Sequence, residues 1–69
     1  MGGQVHPRAW VDTTAQLGEN VEIGAFAVVE SGASLGAGCR LGPYAYVGKG
    51  VKLGPGCLLE TGAVCAVPG

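Results

Sequence analysis

Few residues in this 69-residue chain could carry chemistry. His6 is its only histidine, and imidazole is the side chain best suited to proton transfer near neutral pH. A general base needs an oriented partner and a pocket. His6 stands beside Pro7 at the start of the chain, and its neighbours in sequence supply neither; it reads as a partly exposed residue of the first turn. One histidine cannot furnish a three-histidine metal site, even in a trimer, unless it lies on the symmetry axis. Cys39, Cys57 and Cys65 lack the C-x-x-C spacing of a metal or redox motif. The stretch "VGKGVKLGPG" places Lys49 and Lys52 among glycines, but the G-x-x-x-x-G-K-[ST] order of a phosphate loop is missing, and no helix pattern follows. "GAGCRLG", around Arg40, is explained by glycines at corners. Asp12, Glu19, Glu22, Glu30 and Glu60 are scattered and read as solvated outward positions. The residues themselves therefore assign no catalytic, cofactor-binding or metal-binding position.

Composition narrows the class. Four Lys and Arg against five Asp and Glu leave the chain near neutral, which argues against nucleic acid or an anionic membrane surface as partner. Fourteen glycines accompany a 48% hydrophobic content, and that pairing excludes disorder driven by low hydrophobicity. No apolar run approaches the ~20 residues of a membrane span, and "MGGQVHPRAW" has no apolar signal segment. The expectation is a soluble, cytoplasmic chain without membrane insertion.

The positioning scaffold is written in a period of six. Val5, Val11, Leu17, Ile23, Val29, Leu35, Leu41, Val47, Leu53, Leu59 and Cys65 follow one another at that spacing without a gap. Two places before each of the last ten stands a small apolar residue: Ala9, Ala15, Val21, Ala27, Ala33, Cys39, Ala45, Val51, Cys57 and Ala63. Six of the aliphatics are followed by Gly. A helix would throw a spacing of six onto opposite faces and tolerates such glycine density poorly. A flat sheet would make every second residue equivalent, and here they are not.

The solution is an all-β parallel β-helix, one short strand and one corner per hexapeptide. Aliphatic and small residues point inward, and Gly or Asn supplies the corner torsions. Three sides close a triangular coil of eighteen residues, so stacked positions should match. They do: residues 9, 27, 45 and 63 are all Ala, and 17, 35 and 53 are all Leu. The chain then has about three and a half coils in one domain, residues 5–69, after a leader of residues 1–4. Cys39 and Cys57 fall one coil apart in an inward column. That distance permits a disulfide, while a reducing cytosol favours two packed free thiols.

The four aromatics, Trp10, Phe26, Tyr44 and Tyr46, fall on one side of the triangle. Phe26 should stack on Tyr44, and Trp10 and Tyr46 share an outward column with Val28 and Val64. The corresponding columns of the other sides, Gln16, Ser34, Lys52 and Glu22, Arg40, Leu58, are mostly polar. An apolar-aromatic stripe on one side of three predicts a subunit interface made by Trp10, Phe26, Val28, Tyr44, Tyr46 and Val64, and a closed homotrimer satisfies it. A coil stack of this size with an open strand edge that Pro68 only partly blunts should be a marginal monomer, stabilised by trimer contacts or by stacking end to end.

"VHPRAWVDTTAQLGENVEIGAFAVVESGASLGAGCRLGPYAYVG" resembles the opening coils of bacterial acyl-carrier-protein–UDP-N-acetylglucosamine O-acyltransferases. The hexapeptides are shared by many transferases; "HPRAWVD" and "IGAFAVVE" point to this branch. The resemblance implies a left-handed coil and a cytoplasmic homotrimer with substrate between subunits. It further implies transfer of a 3-hydroxyacyl group from acyl carrier protein to a sugar hydroxyl of the UDP-sugar, in lipid A synthesis. That family's general base is a His on a later coil, which has no counterpart before Gly69, so the resemblance implies scaffold and trimer contact for these residues. Two alternatives stay open: a stand-alone assembly solenoid, or part of another hexapeptide-repeat acyltransferase.

Overall fold

The computed structural model of the chain describes residues 3–66. Met1 and Gly2 of the expected leader, and Pro68, lie outside the described residues. Gln4 belongs to the first strand.

Eleven two-residue strands follow in order. The first wall stacks β1 (Gln4–Val5), β4 (Glu22–Ile23), β7 (Arg40–Leu41) and β10 (Leu58–Leu59). The second stacks β2 (Trp10–Val11), β5 (Val28–Val29), β8 (Tyr46–Val47) and β11 (Val64–Cys65), and the third β3 (Gln16–Leu17), β6 (Ser34–Leu35) and β9 (Lys52–Leu53). All pairings are parallel, between residues eighteen apart, as in Val11↔Val29 and Leu35↔Leu53. Each strand has one residue facing in and one facing out, and no helix occurs among the described residues. The sixfold spacing thus becomes a three-walled parallel solenoid.

Backbone bonds between coils set the stack. Trp10 N donates to Ala27 O at 2.8 Å, Val28 N to Ala45 O at 2.9 Å and Tyr46 N to Ala63 O at 2.8 Å. The inward ladders fill the tube. Ala27, Val29, Ala33, Cys39, Ala45 and Val47 are fully buried, and Ile23, Leu35 and Leu41 nearly so. One large and one small residue per wall fit because the triangle is narrow, which explains the two sets of the period. At its ends the tube has a coil on one side only. Leu17, in register with Leu35, therefore stays 37% exposed, and Val5 46%.

Corners are four-residue turns closed by a bond from the last N–H to the first C=O, as in Ala27 N to Gly24 O at 3.3 Å and Ala45 N to Gly42 O at 3.2 Å. At most of these corners the third residue takes a positive φ, which favours Gly or Asn. Gly38 (φ 75°), Gly56 (φ 74°) and Asn20 (φ 60°) meet that expectation. Phe26 (φ 61°) and Tyr44 (φ 62°) depart from it. A β-carbon there costs about 1–2 kcal/mol, so not only Gly and Asn turn this chain. Several glycines that follow an aliphatic have a different reason: a β-carbon on Gly36 would meet Pro55 N at 2.6 Å, and one on Gly18 would meet Ala37 N at 2.6 Å.

Leu35→Ala, at 2% exposure, should destabilise by about 2–5 kcal/mol. The outward Lys52→Ala on the neighbouring rung should stay within about 0.5 kcal/mol. Chemical denaturation followed by circular dichroism compares them; equal effects would contradict the inward assignment of the ladder.

Candidate functional site

The second wall and its leading corner gather all six residues of the stripe. Trp10, Val28, Tyr46 and Val64 are in register on the outer face. Trp10 is 51% and Val64 70% exposed, with Val28 and Tyr46 half-buried between them. Phe26 and Tyr44 stand on the preceding corner with ring centroids 5.3 Å apart and planes inclined by 16°. The coil rise stacks them. Aromatics from three successive coils thus share one apolar face.

The face has one polar fixture. Tyr46 Oη donates to Glu30 Oε2 at 3.1 Å. That bond and the nearby negative charge raise the phenol above its ordinary pKa. Glu30 is therefore a partner to the stripe, not the solvated outlier expected of it.

A groove of about 640 Å³ opens on the adjacent first wall. Gln4, Glu22, Arg40 and Leu58 form its floor, and His6 with Pro7 one side. Arg40 Nε lies 3.4 Å from Glu22 Oε1, with both side chains more than half exposed, so the pair adds little stability. His6 Nδ1 accepts the Arg8 N–H at 3.0 Å, which places the neutral ring's proton on Nε2. The exposed ring works as a turn cap with Nε2 left as a donor. The groove was not visible in the sequence, because its floor comes from residues eighteen apart.

Asp12 and Thr14 close a corner of the first coil. Asp12 Oδ1 accepts the Thr14 hydroxyl at 2.7 Å and the Thr14 N–H at 2.8 Å. Thr14 Oγ1 in turn accepts the Gly32 N–H at 3.0 Å. One coil later a carbonyl does this work, Gly50 N donating to Ser31 O at 3.1 Å. The two bonds from Thr14, side chain first, hold the Asp12 carboxyl below its ordinary pKa. The D-x-T spacing is a known turn signal and could have disclosed this link. Cys39, Cys57 and Cys65 are free thiols, and Cys39 Sγ donates to Gly54 O at 3.1 Å. No cluster of three or more His, Cys, Asp or Glu residues suited to a metal occurs among the described residues, and no helix among them is long and apolar enough to cross a membrane.

Residues 14–49 and 32–66 match the family model for the bacterial transferase hexapeptide, six repeats. The chain belongs to the hexapeptide-repeat transferase family. Its similarity to a solved member is close: the UDP-N-acetylglucosamine acyltransferase of Arabidopsis is 39% identical over 88% of this chain, with a TM-score of 0.87. The hexapeptide chain spans 21% of that enzyme's length. A perosamine N-acetyltransferase from Caulobacter crescentus, a histidine variant solved with CoA and GDP-perosamine, is 28% identical over 96% of this chain and 44% of its own, at a TM-score of 0.38. Among curated proteins, none matches the chain significantly.

Two titrations test the polar fixtures. Thr14→Val should move the Asp12 carboxyl up toward its ordinary value near 3.8, but not all the way, since the backbone donor stays. A depressed carboxyl stabilises the fold above its unfolded pKa, and that gain is lost as pH falls through the folded value; Thr14→Val should flatten this acid loss, read by NMR titration and acid unfolding. Glu30→Gln, in a Tyr44→Phe background, should lower the Tyr46 titration toward 10.0. The raised phenol stabilises the fold below its unfolded pKa, and that gain disappears as pH climbs through the raised value. Tyrosinate absorbance against pH reads it, and no shift would remove the Glu30 bond.

Proposed function

We propose that the chain is the N-terminal part of a UDP-N-acetylglucosamine O-acyltransferase, whose reaction moves a 3-hydroxyacyl group from acyl carrier protein to the sugar in lipid A biosynthesis in the cytoplasm. The likeness to the Arabidopsis enzyme in both sequence and backbone carries this reading. In this reading the coils of the present chain act as scaffold and as subunit contact. The groove supplies no oriented acid–base pair: His6 Nδ1 is engaged by the backbone, and Arg40 by Glu22. An apolar face, by contrast, is what association removes from water.

The contact is a homotrimer built on Trp10, Phe26, Val28, Tyr44, Tyr46 and Val64. A solenoid face repeats its side chains at the strand spacing of ~4.8 Å. A second solenoid matches such a ladder rung by rung, which favours another copy of the chain as partner.

Grafting residues 5–66 onto the remaining coils of the Arabidopsis enzyme should yield acyl transfer from acyl carrier protein to UDP-N-acetylglucosamine. A folded, trimeric but inactive graft would point to another hexapeptide-repeat acyltransferase. The chain alone should show no turnover; turnover abolished by His6→Ala would overturn the scaffold assignment. Val28→Lys should weaken self-association at least tenfold in sedimentation equilibrium, since it buries an unpaired charge. A wild-type chain that stays monomeric and melts sharply, independent of concentration, would exclude the trimer.

A further inference from the structure

Cys39 and Cys57 occupy one inward column of the first wall, a single rung apart. They precede Arg40 and Leu58, which are paired in register, and Arg40 N donates to Cys57 O at 2.8 Å. Packing does not call for thiols there, because the matching column of the second wall is alanine throughout, Ala9, Ala27, Ala45 and Ala63. Both thiols are free. The Cys39 thiol leans toward its neighbour's coil: it donates to Gly54 O at 3.1 Å, on the corner that leads into Cys57. One coil earlier the same carbonyl position, Gly36 O, accepts a backbone N–H instead, that of Cys39, at 3.3 Å.

The two sulfurs differ in access. Cys39 is fully buried, whereas Cys57 is half-buried. Cys57 can therefore meet a small molecule that Cys39 cannot, which is the division between an attacking and a resolving thiol. The rung spacing adds a second property. Side chains that leave stacked rungs in one direction keep their β-carbons about 4.8 Å apart, beyond the ~3.5–4.5 Å of a relaxed disulfide. A bond closed across that gap draws the coils together under strain, and strained disulfides are the readily reduced, regulatory kind.

We propose that Cys39 and Cys57 form a reversible redox staple between adjacent coils, driven by a small-molecule disulfide of the glutathione type. Cys57 gives up its proton, and its sulfur attacks the small disulfide, breaking that S–S bond and releasing one small thiolate. Cys39 gives up its proton, and its sulfur attacks the Cys57 sulfur, forming the Cys39–Cys57 bond and releasing the second small thiolate. The two released thiolates take up the two protons. Both cysteine sulfurs are oxidised, and the small disulfide is reduced to two thiols. The free-thiol form is the resting state, and the staple closes when the disulfide share of the small-thiol pool rises. It then ties the coil of β9 and β10 to that of β6 and β7.

Treatment with oxidised glutathione, followed by alkylation and peptide mapping by mass spectrometry, tests this. The folded wild-type chain should lose two hydrogen atoms and carry a Cys39–Cys57 link. Cys65→Val, which matches Val11, Val29 and Val47 of its column, should not change that result. In denaturant the shorter loop should win, so that a Cys57–Cys65 link dominates. With Cys65→Val as background, Cys39→Ala should stop at a mixed disulfide on Cys57, and Cys57→Ala should leave Cys39 at least tenfold slower to react than Cys57 is. Excess reduced glutathione should reopen the wild-type link without denaturant. A Cys57–Cys65 link in the folded chain, a lasting adduct on wild-type Cys57, a link between copies or no reaction overturns the staple. A link that survives excess reduced glutathione is a permanent cross-link and overturns the switch. The wild-type map decides the matter even where a variant fails to fold.

Discussion

The width of the tube constrains everything else in this molecule. Each wall contributes one aliphatic and one small residue per coil, and together they form one continuous buried cluster. A larger residue at Ala27 or Ala45, both fully buried, has no space to enter, since close-packed interiors resist overfilling. A smaller one at Val29 or Val47 leaves a hole that a hydrogen-bonded coil cannot collapse to fill. The backbone ladder reinforces this, because each wall's N–H groups are committed to carbonyls of the next coil. Side-chain choice inside is thus confined to a few types, and variety is confined to the outside.

That confinement made the fold legible before any coordinates. The sixfold set needs no long-range information, and folding it by eighteen brings Ala under Ala and Leu under Leu. It also placed Phe26 over Tyr44 and put Trp10, Val28, Tyr46 and Val64 in one column, as the registers have it. Other features escaped for physical reasons. Positive φ is assigned from sequence by residue type, so Phe26 and Tyr44 could not be recognised as turning residues. The exposure of Leu17 and Val5 reflects their place at the end of the stack, not their type. The Glu30–Tyr46 and Glu22–Arg40 pairs depend on rotamers that spacing does not specify. The groove arises from four strands and a turn, none of which contains it alone.

The first coil shows how local chemistry replaces a missing neighbour. Later corners combine a positive φ with an N–H given to the coil before, as Gly38 N does to Glu19 O at 2.8 Å and Gly56 N to Ala37 O at 2.9 Å. At Arg8 and Thr14 the turn is instead capped from the side, by His6 Nδ1 and Asp12 Oδ1. Imidazole and carboxylate do the work of a carbonyl there.

Family and function consequently live on different atoms of this chain. The family match over residues 14–66 follows a period whose strictest positions point inward, and a sealed interior touches neither substrate nor partner. What distinguishes one such protein from another must lie in the outward columns and corners, read vertically at intervals of eighteen. On the first wall that column carries a charge pair and Leu58, on the third it is polar, and on the second it is apolar and aromatic. Three walls of equal backbone geometry therefore present three different surfaces. An exchange at Val28 or Tyr46 alters what the rod can meet while leaving the tube intact, and one at Val29 or Val47 does the reverse. Adjacent residues along each strand belong to separate problems, and that division lets one coil pattern serve many transferases.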